Sequence, residues 1–157
     1  MAILIRKATE QDADTLASLN ADVQAIHAAA MPWYFKPPGP ETLPPSAVAD
    51  LLAWPENLVF IAETDGTAAG YAYAQLVRRP ETSFHYAHDM MYLHHIGVRP
   101  AHRRRGVGAA LIGAMRAAAT DAGIALMALD VWTFNEEARA FFRRHGFAPC
   151  SERLWSR

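Results

Sequence analysis

The chain has a single cysteine, Cys150, so it can form neither an internal disulfide nor a cysteine-based zinc site. It has no excess of either charge. Fifteen Lys+Arg against sixteen Asp+Glu leave a formal net charge of -1, which argues against a general nucleic-acid binder. No run approaches the ~20 apolar residues of a membrane span. The opening Met1-Ala2-Ile3-Leu4-Ile5-Arg6 meets a charge too early for a secretory signal, so a cytoplasmic protein with no membrane partner is expected. The seven histidines show no His-Glu-x-x-His spacing, and no metal is expected. There is no internal repeat, low-complexity tract or linker. With 157 residues, the expectation is one domain over 1–157.

What is present is material for a core. Hydrophobic residues make up 52% of the chain and charged residues 20%, a globular balance. Alanine is about a fifth of the chain and Arg far outnumbers Lys, a bias consistent with genome composition.

Residues 3–6 read as a first strand. Thr9 reads as a helix N-cap, followed by Leu16, Leu19, Val23 and Ile26 on one helical face, with Pro32 ending the helix or the turn after it. Residues 31–45 carry six prolines among Trp33, Tyr34 and Phe35, which excludes a regular helix or central strand. Ser46 reads as the cap of a short helix closed by Pro55. Residues 57–63 and 67–77 form a predicted hairpin around Asp65-Gly66. A polar loop (78–89), a strand (90–98), a helix (106–122) ended by Gly123, a strand (124–132), a helix (135–145) and a last strand (147–155) complete the pattern. Hairpin-linked strands followed by strand-helix-strand predict an α/β fold: a mixed, mostly antiparallel sheet with helices on both faces.

The sharpest feature is Arg103-Arg104-Arg105-Gly106-Val107-Gly108, between a predicted strand and helix. Small residues let a ligand approach the backbone, and the first helical turn offers free amides at its positive end. Such an end suits phosphate, and the arginines extend it. It is neither a Rossmann turn nor a Walker loop, because Gly-x-Gly-x-x-Gly and Gly-Lys-Ser/Thr are both absent.

Arg103, Gly106 and Gly108 match the Gln/Arg-x-x-Gly-x-Gly/Ala signature of the GNAT superfamily of N-acetyltransferases, which this chain resembles. Ile96-Gly97-Val98-Arg99-Pro100 looks like the strand that precedes that turn. Asn135, Ala138, Phe141 and Phe142, followed by Gly146-Phe147, resemble the family's Asn-x-x-Ala-x-x-Phe-Tyr…Gly-Phe pattern. The likeness is sharp over 92–147 and looser before it.

The resemblance implies a sheet with a splayed central strand pair and acetyl-CoA as donor. Amides from Arg103, Arg104, Arg105, Gly106, Val107 and Gly108, with Ala109, would hold its pyrophosphate. Ile96, Gly97 and Val98 would border the pantetheine, paired through the backbone of Ile96 and Val98 like an added strand. Asn135 would bond the pantetheine, or cap its own helix. Ala138, Phe141 and Phe142 would line the thiol end.

For acid–base chemistry the resemblance points to the strand before the turn. His94 is the first candidate base because imidazole titrates near neutral pH; His95 is the alternative, and Tyr92 lies beside them. Simple alternation puts Tyr92, His94, Ile96 and Val98 on one face and Leu93, His95 and Gly97 on the other, unless a bulge breaks the parity. Where the family often has an acidic Tyr this chain has Phe142, so Tyr92, Tyr71 and Tyr73 are the remaining candidate acids. The structural alternative for each histidine is simple packing against a backbone carbonyl. Cys150 is discounted as a nucleophile because no motif activates it.

The acceptor, a small-molecule amine or a peptide, is expected over 27–38 and 78–89. His27, Trp33, Tyr34 and Phe35 would form an aromatic wall, and Glu81 and Asp89 would attract positive charge. The resemblance therefore implies an acetyl-CoA-dependent N-acetyltransferase. The alternative is a non-catalytic acyl-CoA sensor or regulatory module. Family members are often dimers, and Trp155 is a candidate residue of a homodimer interface.

Overall fold

The computed structural model describes all 157 residues, Met1–Arg157. Five strands form one sheet in the order β1-β2-β3-β4-β5. They are β1 (Ile3–Lys7), β2 (Asn57–Thr64), β3 (Thr67–Arg79), β4 (His88–Val98) and β5 (Leu126–Leu129). The first four pair antiparallel, and β4 pairs parallel with β5. The helices are α1 (Ala13–Ala30), α2 (Pro45–Ala53), α3 (Val107–Asp121) and α4 (Glu136–Arg144).

Strand alternation feeds two cores. On one face Phe60, Ala62, Ala72, Ala74, Met91 and Leu93 meet Val107, Leu111, Ile112, Met115 and Ala119 of α3, with Phe142 of α4. The alanines keep the sheet surface low, so α3 lies close to it. On the other face Val59, Ile61 and Tyr71 meet Ala13, Leu16 and Leu19 of α1 and Val48 of α2. The predicted fold class is therefore observed: a mixed, mostly antiparallel sheet with helices on both faces.

The hairpin turns where its sequence says it should. Asp65 (φ 51°) and Gly66 (φ 74°) are both left-handed, the backbone that matches strand twist. Other expectations need correction. Ser46 does not cap α2; Pro44 does, and Pro45 begins the helix with its fixed φ. Thr9 precedes a short 3-10 turn (Glu10–Asp12) rather than α1 itself. The strand expected over 124–132 is only four residues long, and the last strand expected over 147–155 does not form. That final segment instead carries Trp155 onto a group of aromatic rings, described below.

Arg6 of β1 ties the sheet edge to this entry turn. Its guanidinium meets Asp12 (2.8 Å) and Glu63 (2.8 Å). Asp12 also accepts the Thr9 amide (2.8 Å). The Arg6 hydrogen bond is the main reason the Asp12 carboxyl falls from 3.8 to about 2. A depressed carboxyl contributes stability above its unfolded value, and that contribution is lost as pH falls through the folded value. Asp12→Asn should therefore cost about 1–2 kcal/mol at pH 7, discounted for solvent screening. The deficit should shrink between pH 4 and pH 2 in urea melts, and a deficit independent of pH would contradict this ion-pair account.

Candidate active site

The site is set by where β4 leaves β5. Their pairing runs only from Met90↔Leu126 to Leu93↔Leu129, while β4 continues to Val98. Over its second half β4 keeps β3 on one side and has an open edge on the other. The ladder's phase says what faces that edge. The Arg99 amide donates to Ala69 (2.8 Å), so in an antiparallel ladder His95 and Gly97 also face β3, and Ile96 and Val98 face outward. The Val98 carbonyl takes Arg103 Nε (3.1 Å). Gly97 lies on the β3 side of this ladder. A Cβ there would meet Val23 at 2.5 Å and Tyr71 at 3.2 Å, so its bareness serves the approach of α1.

The open edge leads into the turn before α3. Arg104 (φ 61°) and Gly106 (φ 86°) are left-handed, and the first helical bond runs from Ala110 N–H to Gly106 C=O. The amides of residues 104–109 find no acceptor in the chain. Arg104 and Arg105 are exposed beside them. Six free amides at and just before a helix start make a candidate anion cradle. Gly108 has a packing role too: a Cβ there would sit 3.0 Å from the Phe141 ring. Ala138 and Phe141 pack at the margin of the α3-side core, and Phe142 is buried in it. Asn135 caps α4, its Oδ1 accepting the Ala138 amide (3.1 Å), while its Nδ2 makes no bond.

At the other end of the open edge β4 is irregular. Tyr73 pairs with His95 and Ala74 with Leu93, which leaves His94 as an extra residue. This bulge corrects the alternation expected from sequence. Tyr92, His94 and His95 all turn toward the α1–α2 side, while Ile96 and Val98 stay with Met91 and Leu93 on the α3 side. The His94 ring stacks on Tyr73 (4.7 Å between centroids) and meets Tyr92 (4.8 Å); its Nε2 lies 2.9 Å from Gln75 Oε1. Burial lowers the His94 pKa, and Asp130 partly opposes that. His95 is more enclosed, bonded to Tyr71 and beside an apolar cavity lined by Leu16, Leu43, Val48, Leu51 and Val59. Burial, then the neighbouring His94 and His27, brings it down to about 4.

The three tyrosines offered as acids are poorly suited. Tyr92 donates to Asp130 (2.5 Å), and burial followed by that bond pushes it up to about 12. Burial also pushes Tyr71 up to about 12 and raises Tyr73, whose hydroxyl donates to Asn57. Sequence reading missed Asp130 and Gln75, because neither belongs to a motif; only the strand register puts them beside the histidines.

The aromatic wall is larger than expected. His27 stacks on Phe35 (5.0 Å), Tyr34 meets Phe35 (4.8 Å) and Trp132 (5.6 Å), and Phe134 adds to the group. Trp155 folds back onto Trp33, Tyr34 and Trp132, and Arg157 lies 3.7 Å over the Trp33 ring. Trp155 thus packs within its own chain. Glu81 is exposed in the 80–87 loop without a hydrogen bond or ion pair, and Asp89 pairs with Arg78 (2.7 Å). The structure does not gather either carboxylate with the rings. Cys150 is exposed. No group of three or more metal-ligating side chains is present, and no helix is long and apolar enough to cross a membrane.

The opened edge of β4 thus runs directly into a free-amide turn. The acetyltransferase (GNAT) family profile matches residues 20–147, and the chain belongs to that family. It is 34% identical over 110 residues to the N-alpha-acetyltransferase RimI of Mycobacterium tuberculosis, covering 69% of this chain and 63% of that relative's length. Among solved structures, a mutant of the BH1408 protein from Bacillus halodurans superposes with a TM-score of 0.94 at 22% identity, covering 98% of both chains. The acetyltransferase AAC(6')-Iy, in complex with a bisubstrate analogue joining CoA to acetylneamine, gives 0.76 at 23% identity, covering 100% of this chain and 98% of that one. These structural likenesses concern the fold.

The turn analysis separates two effects at one position. Gly108→Ala should only crowd Phe141 and leave CoA affinity within a few-fold. Gly108→Asp adds a negative charge to the cradle and should weaken CoA about tenfold or more beyond the alanine variant. Calorimetric titration measures both, and equal affinities in the two variants would mean that residue 108 serves packing alone.

Proposed function

We propose that the protein transfers the acetyl group of acetyl-CoA to a primary amine by direct attack in a ternary complex. The observation that carries this reading is one continuous track. The free amides of residues 104–109, the outward edge of Ile96 and Val98, and the His94 ring follow one another along β4 and its turn. The donor's chemistry fits the groups left open. Arg104, Arg105 and the amides suit a pyrophosphate. The Ile96 and Val98 backbone suits the pantetheine amides, and Asn135 Nδ2 is free to join them while Oδ1 caps α4. Phe141 borders the track over Gly108, whereas buried Phe142 acts through the core beneath it.

In the reaction, the amine nitrogen bonds to the thioester carbonyl carbon, the C–S bond breaks, and the nitrogen loses a proton. His94, neutral at pH 7, takes that proton directly or through water. No nearby tyrosine is free to protonate the leaving sulfur, so it departs as a thiolate, a good leaving group near neutral pH. The acceptor lies over the aromatic wall, where the faces of Trp33 and Tyr34 suit a cationic small amine or peptide. This reading keeps the chain as one cytoplasmic domain acting on a small or peptide amine, with no nucleic-acid or membrane partner.

A second reading has a specific observation behind it. Phe142 is buried without a hydroxyl and the surrounding tyrosines are occupied, as in a module that binds acyl-CoA without turnover. Release of CoA thiol with any amine decides between them. Under the enzyme reading, His94→Gln lowers kcat about a hundredfold with little change in donor KM. The active form of His94 is neutral, so activity is present above its pKa and lost as pH falls through it. Because that pKa is lowered, the acid limb of the wild type lies below the ordinary 6.5, and His94→Gln removes the limb. Unchanged rates across pH in His94→Gln would show that His94 only packs.

A further inference from the structure

We infer that each histidine at the β4 bulge is locked in one tautomer by its own protein partner, so that His94 presents a bare Nδ1 as the proton acceptor while His95 presents a fixed Nε2–H. The division of roles rests on the acetyl-transfer reading; the tautomers do not.

His94 Nε2 faces the Oε1 of Gln75 at 2.9 Å. An amide oxygen only accepts, so that ring nitrogen carries the hydrogen and Nδ1 keeps the lone pair. The ring cannot easily turn away. Tyr73 lies nearly parallel to its face (17°) and Tyr92 lies against it at 60°. Gln75 sits on β3, opposite Tyr92 in the register, so the strand pairing itself brings the amide to the imidazole.

His95 is fixed from inside. Asn20 Nδ2 donates to the Tyr71 hydroxyl (2.8 Å), and that hydroxyl reaches His95 Nδ1 (3.3 Å). Asn20 can only donate to this buried hydroxyl, and the phenolic hydrogen has no acceptor other than Nδ1, so His95 carries its own hydrogen on Nε2. Asn20 is 8% exposed and Tyr71 1%, so water does not compete for this chain of bonds. The groups facing the pair are Tyr73 and Gln75 of β3, Tyr92 of β4, Asp130 after β5, and Tyr71 and His27 on the α1 side. Asp130 is the one carboxylate among them, and it raises His94 but is not among the causes acting on His95. His95, brought to about 4 by burial, stays an N–H donor across the working range. Of the two candidate bases, only His94 has a lone pair to offer. Gln75 and Tyr71 are positioning residues: they act through the rings they hold.

The test is long-range 15N–1H correlation of the imidazoles in the full-length, uniformly labelled protein at pH 7.5 without substrates. His94 and His95 should each show an unaveraged Nε2–H pattern. Gln75→Leu should average the His94 nitrogens and leave His95 alone, and Gln75→Glu should restore the single His94 tautomer. Tyr71→Phe should average His95 and raise its pKa. In steady state, Gln75→Leu should lower kcat about tenfold with donor KM nearly constant, and Gln75→Glu should recover it while moving the acid limb to higher pH. A wild-type Nδ1–H signal on either ring overturns the inference, as do His94 resonances unmoved in Gln75→Leu. Because Tyr71 is buried, the Gln75 pair keeps the test valid if Tyr71→Phe does not fold. Locked tautomers in a protein that releases no thiol would sink the acetyl-transfer reading alone. Averaged tautomers in an active enzyme would sink only this inference.

Discussion

Everything at this site depends on one interrupted pairing, the parting of β4 from β5 beyond Leu93 and Leu129. A sheet normally satisfies its backbone groups strand by strand, and an unpaired edge in its middle is costly unless something else fills it. Here the chain after Leu129 turns away instead of continuing the ladder. Asp130 spends its carboxylate on the Tyr92 hydroxyl, and Trp132 and Phe134 join the rings of α1 and the loop after it. The outward backbone groups of Ile96 and the Val98 amide are thereby left unpaired by the sheet, while Arg103 takes the Val98 carbonyl. The same strand then delivers its end into a turn whose six amides have no acceptor in the chain. The opening and the free-amide turn are consecutive parts of one chain segment, which is why the proposed donor is a single long ligand with a charged head and an amide-bearing arm.

The bulge at His94 determines what waits at the far end of the opening. With perfect alternation one histidine would face each side of the sheet. The extra residue puts both on the α1–α2 side, with Tyr92 beside them. Their environments then separate them. His94 lies toward solvent with Asp130 near; His95 lies against an apolar cavity, and its Nδ1 is held by a buried tyrosine. Two identical side chains, adjacent in sequence, thus acquire different acid–base behaviour from burial and hydrogen bonding alone.

Much of this was legible in the sequence, and for definite reasons. Asp65-Gly66 names a left-handed two-residue turn, and Gly106, left-handed itself, marks the turn into α3. The apolar spacing of Leu111, Met115 and Ala118 defines the face of α3, although Ala119 rather than Ala118 is the buried member near its end. Tertiary context defeated the rest. Residues 124–132 are apolar enough for a long strand, yet only four of them find β4 before the sheet opens. Residues 147–155 carry strand-like residues, yet they pair with no strand, and Trp155 packs on the aromatic group instead. The histidine parity was undecidable because a bulge is a property of two strands in register. Gln75 and Asp130 were invisible for the same reason: ordinary polar residues gain significance only from what lies across the sheet.

The central claim is that the open β4 edge and the turn amides together form one donor site. Residue-resolved amide hydrogen exchange, with and without acetyl-CoA, tests it most directly. The account predicts that Ile96, Val98 and residues 104–109 exchange fast in the free protein and become protected together when acetyl-CoA binds. Protection that leaves these amides untouched, or that covers the turn while Ile96 and Val98 stay open, would contradict it.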